Sequence, residues 1–222
     1  MLPSAKKYSL ILIGIYIVIS YLMIIDHDFS LSVSKVLHNN LGWFVLIMYF
    51  VNRGAIITQA MFFNCDHAML NYNFYRKPKN LLGLFRKRLL TVSKVNLLPA
   101  VTVGVGNIVL LLIAKDYSLS IIVSTFLFII FLSIFFSVHY LVIYYLLQPF
   151  NKDLEVKKLS YSFVTLLTYI ISYMLIDVAV NSVVFSILGL TITILYIVLA
   201  LCLVYKFAPK TFKLNWQSFV NK

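Results

Sequence analysis

Few side chains in this sequence can do chemistry, and they are scattered. Among 222 residues there are seven carboxylates, four histidines and two cysteines. General acid–base chemistry needs paired groups held in one site. No carboxylate lies within a long apolar run, and Asp177 stands at the end of one, so intramembrane proteolysis has little material. His27, His38 and His67 stand at spacings that match no zinc pattern, and no metal is expected. The chain has no G-x-S-x-G elbow, no H-E-x-x-H, and no Asp cluster of the kind that holds a metal for phospholipid head-group transfer. It also lacks G-x-x-x-x-G-K-S/T, so it cannot bind nucleotide through a P-loop. No catalytic residue and no cofactor are assigned to this chain.

The polar residues that interrupt apolar runs are more informative. Arg53 lies twelve residues after Leu41 and ten before Phe63. At about 1.5 Å per helical residue it sits near the middle of a span. A charge at that depth costs about 2.5–3.5 kcal/mol on insertion scales, so it should face protein or water. With Asn52 and Gln59, Arg53 suits a translocation path that attracts a carboxylate or an anionic headgroup. Satisfaction by carbonyls or a neighbouring helix accounts for it equally well. A lone His139 reads as a packing residue in preference to a proton relay or metal ligand. Asn96, Pro99, Gly104, Gly106 and Asn107 can bend one helix and let others approach closely, with packing favoured over a gating hinge.

The elements that position these residues are membrane helices. The hydrophobic fraction of 62% exceeds the roughly 45–50% of soluble domains. Seven glycines and no ten-residue polar–apolar alternation argue against a β-barrel. Apolar runs occupy 8–25, 41–63, 95–114, 118–147, 159–176 and 183–207. At about 20 residues per span, six spans fit. Lys6 and Lys7 resemble the start of a signal peptide, but the long first run without an A-x-A-like site reads as a retained anchor.

With a cytoplasmic N-terminus, sixteen of the nineteen basic residues fall inside, among them Lys152, Lys157, Lys158, Lys213 and Lys222. Outside lie Lys35 and Lys115, against Asp26, Asp28, Asp116 and Asp177. This asymmetry places both termini in the cytoplasm and accounts for the net charge of +12 without nucleic acid. Trp43 and Trp216 suit the outer and inner interfaces. Cys65 and Cys202, on or near the inner side, imply no disulfide. The expected fold is an all-α polytopic membrane protein, one transmembrane domain over 1–222.

The one long connection is 64–94. Asn64 or Asp66 can cap a short helix, Pro78 interrupts it, and Asn80 can start a second. Leu81, Leu82, Leu84, Phe85, Leu89 and Leu90 give the second helix an apolar face, and Arg86, Lys87 and Arg88 a cationic one. Such a helix should lie in the interface plane. One reading is an amphipathic surface anchor held by anionic lipid. The favoured one is insertion of the first part into a groove on a cytoplasmic partner, through Asp66, Leu70, Tyr72, Phe74, Tyr75 and Arg76.

The stretch FFNCDHAMLNYNFYRKP, residues 62–78, resembles the permeases of ATP-binding-cassette exporters of bacterial peptides, of the phenol-soluble-modulin type. The resemblance implies six helices with cytoplasmic termini in a bacterial cell membrane, and a coupling helix that docks on a separate ATPase carrying ATP and Mg. It also implies a second permease chain, identical or paralogous, and an amphipathic peptide or toxin as substrate. Polysaccharide-exporting relatives carry a re-entrant hairpin between the last two spans, where this chain has only 177–182. The alternative is a membrane immunity protein that sequesters an amphipathic peptide without ATP.

Overall fold

The computed structural model describes residues 2–150 and 159–212, with the side chains of 2–4, Asn73 and Arg76 outside the description. Lys152, Lys157, Lys158, Lys213, Lys222 and Trp216 therefore lie outside the described residues. The chain is 89% helical, and no strand forms among the described residues. Helix is what an apolar chain must adopt in lipid, where each backbone N–H and C=O has to be paired within its own segment. Six stretches are long and apolar enough to cross a membrane: Ala5–Ile25, Gly42–Met69, Pro78–Ile113, Leu119–Leu147, Leu159–Asp177 and Ser182–Thr211. The protein is an all-α, multi-pass membrane protein.

The axis of the bundle is α7 (Leu119–Leu147), which packs along α6 (Pro78–Ile113) and α9 (Ser182–Thr211). The first helix, α1 (Leu2–Ile25), lies on α6, whereas α8 (Leu159–Met174) leans mainly on α3 (Gly42–Val51). The glycines of α6 serve close packing: a Cβ on Gly106 would come within 2.6 Å of the Tyr16 ring, and one on Gly104 within 2.7 Å of Phe126.

Three local features differ from expectation. First, the second span is broken. Helix α3 ends at Val51, Asn52 is extended, and α4 (Gly54–Met61) restarts the helix, which continues through a π-turn, Phe62–Asp66, and one α-turn, α5 (His67–Met69). Second, 64–94 does not form two short helices. After α5 comes a 3-10 turn, Asn73–Arg76, and then α6 runs for 36 residues without interruption into the third span. Pro78 starts it from the first turn, where its missing N–H costs nothing. The amphipathic stretch is thus the first turns of a helix roughly 54 Å long, not a separate one in the interface plane. Its apolar positions Leu81, Phe85 and Val92 are buried against the bundle, while Arg86 and Lys87 stay exposed.

Third, the connection between the first two spans is α2 (His27–Asn39). Asp26 caps it by accepting the N–H groups of Asp28 at 2.9 Å and Phe29 at 3.1 Å. Its far end is tied down: Ser182 Oγ lies 2.5 Å from the carbonyls of Leu37 and His38, and His38 pairs with Asp116. This His38 end is closed by short contacts. The opposite end, which starts at Lys6, carries the candidate site.

Candidate functional site

Docking was expected at the turn between the second and third spans, and its residues divide into two sets. The π-turn accommodates one extra residue per turn and leaves Phe62 and Asp66 both fully buried. Asp66 caps no helix. Its carboxylate accepts hydrogen bonds from the hydroxyls of Tyr75 and Tyr144 and from both terminal nitrogens of Arg88, one of them at 2.6 Å. Arg88 also donates to the Tyr75 and Tyr145 hydroxyls, each at 3.0 Å. A buried carboxylate is tolerated when paired and fully hydrogen-bonded, and this one meets four donors. Burial, followed by the charge of Asp66, pushes the Tyr75 phenol well above its ordinary range.

An apolar shell encloses this ion pair. Leu70, Leu81, Phe85, Phe150 and Phe212 are buried in one cluster with the tyrosines, with Phe212 stacked on Tyr145 at 4.7 Å. Four separate stretches meet here: the π-turn, the 3-10 turn, α6 and α7.

Asp66, Leu70 and Tyr75 therefore face inward and cannot present their side chains to a partner in this conformation. Tyr72 and Phe74 are 56% and 52% exposed, with rings 5.8 Å apart. The Asn80 amide donates to the Phe74 carbonyl at 2.8 Å and holds the turn in place. The Arg76 side chain lies outside the described residues. Tyr72 and Phe74 thus form an exposed aromatic pair on a turn held from within.

The path residues are also divided. Asn52 is buried and structural: its Oδ1 accepts the Gly54 N–H at 2.8 Å, capping α4 across the break. The Arg53 N–H donates to Asn96 Oδ1 at 2.9 Å, the Asn96 amide donates to Ser137 Oγ at 2.9 Å, and Ser133 Oγ donates to the Asn96 carbonyl. Gly54 is required by contact, since a Cβ there would lie 2.7 Å from that of Tyr140. Arg53 and Gln59 remain half-buried. Arg53 is not isolated at mid-span. Its guanidinium lies 3.8 Å above the ring of Tyr8, one turn into the first span, so it belongs to the Lys6 end.

The ring nitrogens of His139 meet the hydroxyls of Tyr196 at 2.9 Å and Thr168 at 2.8 Å. Its ring borders an apolar cleft of about 530 Å³ between α7, α8 and α9. Arg88 was read from the sequence only as part of a cationic face, and Tyr144, Tyr145, Ser133 and Ser137 were not singled out. The available signal was the carboxylate itself: one Asp placed beside an apolar run must find a donor. Comparison of the chain with known families, with characterised proteins and with solved structures finds no match.

Proposed function

We propose that the chain is the transmembrane permease subunit of an ATP-binding-cassette exporter, moving amphipathic peptides or toxins out of a bacterial cell. The observation that carries this reading is the turn between the second and third spans: clamped from inside by Asp66 and Arg88, it offers Tyr72 and Phe74 to the outside. A separate cytoplasmic ATPase would bind there and supply ATP and Mg, since this chain has no P-loop. Both termini are then cytoplasmic. The largely exposed apolar faces of α1, α8 and α9 leave room for lipid and for a second permease chain. Push on the turn would pass through the Asp66–Arg88 pair into α6 and α7, biasing the bundle between inward-open and outward-open states. The route would follow the second span past Arg53 and Gln59.

The test is purification of the tagged chain from its native membrane, with mass spectrometry and an ATPase assay on the eluate. Co-purification of a P-loop ATPase that the Tyr72→Ala/Phe74→Ala double variant releases is the expected result. Recovery of the chain alone, without ATPase activity, would sink the proposal and favour a peptide-sequestering immunity protein.

A further inference from the structure

Arg53 makes no ion pair within the described residues. The ion pairs there are His38 with Asp116 and Arg88 with Asp66. Arg53 belongs to neither, and its Nε is buried without a hydrogen-bond acceptor. Its backbone N–H is held by Asn96 and the N–H of Gly54 by Asn52, so the side chain is the group left open. The guanidinium is stacked on Tyr8, which fixes its plane. Tyr8 directly follows Lys6 and Lys7, both exposed. Cations and a phenol thus gather where the first apolar run begins. The described carboxylate at this end, Asp66, is enclosed by its own donors. An anion bound by Arg53 would therefore come from outside the described residues.

The surroundings specify its chemistry. Tyrosine with basic residues at the start of a span marks the headgroup level of a bilayer. A planar guanidinium suits bidentate contact with phosphate oxygens. Phe50, three residues before Arg53 and so on the bilayer side of it, is 61% exposed. Apolar surface on that side of the cation suits a phosphate that carries acyl chains. We infer that Arg53, with Tyr8, Lys6 and Lys7, binds the phosphate of an anionic phospholipid headgroup. The site does not depend on the exporter reading.

The test is native mass spectrometry of the full chain released from nanodiscs of equal phosphatidylglycerol and phosphatidylcholine, with lipid adducts counted. The wild type should retain phosphatidylglycerol in preference. Arg53→Gln should weaken that retention about fivefold, the equivalent of one basic residue at a lipid surface. Arg53→Lys should fall between. Lys6→Gln/Lys7→Gln, at exposed positions that leave the fold intact, should also weaken it, and Lys35→Gln at the far end should not. Equal retention of the two lipids by the wild type would overturn the inference. So would undiminished phosphatidylglycerol on both Arg53→Gln and Lys6→Gln/Lys7→Gln. Thermal stabilisation by inorganic phosphate matching that by phosphatidylglycerol would assign the site to free phosphate and overturn the lipid.

Discussion

Arg88 and Arg53 both enter the bundle near the Lys6 end, and the fold treats them in opposite ways. Arg88 is enclosed: the Asp66 carboxylate neutralises it, and two tyrosine hydroxyls accept further hydrogen bonds from its terminal nitrogens. Arg53 is stacked on Tyr8 with a buried Nε that meets no acceptor. Removing one partner of a buried pair strands the other, whereas removing an unpaired cation strands nothing. In the proposed reading the contrast separates structure from function: a satisfied charge braces the turn between the second and third spans, and an unpaired one is left for the lipid phosphate.

Asp66→Ala should have the largest effect. It leaves Arg88 buried without a counter-charge and should cost about 3–5 kcal/mol, read by unfolding in detergent. A loss under about 1 kcal/mol would mean water reaches the pair. Asn96→Ala removes the acceptor of the Arg53 N–H and the donor to Ser137. It should cost about 1–3 kcal/mol, and an unchanged midpoint would show that the break in the second span stands without it.

Tyr75→Phe keeps the ring but deletes one of four donors to Asp66, for about 1 kcal/mol. Because folding raises this phenol above the usual value of 10, its contribution is complete below about pH 10 and is lost as the pH rises through the folded value. The phenylalanine variant should show a flatter alkaline limb in a pH series of unfolding midpoints, and an identical limb would contradict the burial of Tyr75.

Arg53→Gln sharpens the contrast. In a zwitterionic detergent it should stay within about 1 kcal/mol of wild type, the stacking on Tyr8 offsetting relief of the unpaired charge. A loss as large as that of Asp66→Ala would erase the difference between the two arginines. The smallest effect belongs to Tyr72→Ala/Phe74→Ala, which touches only exposed rings and should shift stability by no more than about 0.5 kcal/mol. Its expected consequence lies in coupling to the ATPase.

The apolar runs were legible because lipid admits only long apolar helices, and the fourth run, 118–147, matches α7 to within one residue at its start. The break at Asn52 was not, since nothing in FVNRG demands it: the stop is held by Asn96, 43 residues away from Arg53. The in-plane helix failed for a related reason. Arg86 to Arg88 look like one solvated face, but Arg88 reaches Asp66, 22 positions earlier, and Tyr145, 57 later. Charge patterns reveal composition along a face, not which distant group is waiting for it. Tyr72 and Tyr75 were equivalent anchors in sequence and are opposite in burial, because Tyr72 stands before the 3-10 turn in an extended conformation whereas Tyr75 lies within it and is held inward by Asp66. The helix α2 was within reach: Asp26 as cap and Phe29, Val33 and Leu37 at a spacing of four are its signature.

The most direct test of the proposed docking is site-specific photo-cross-linking in native membranes, with a benzophenone side chain at Phe74 and, as control, at Tyr117 on the His38 end. Capture of a P-loop ATPase from position 74 and none from 117 is the expected result. Capture of no protein at position 74, with the chain inserted and folded, would contradict the assignment of this turn as the ATPase-binding surface.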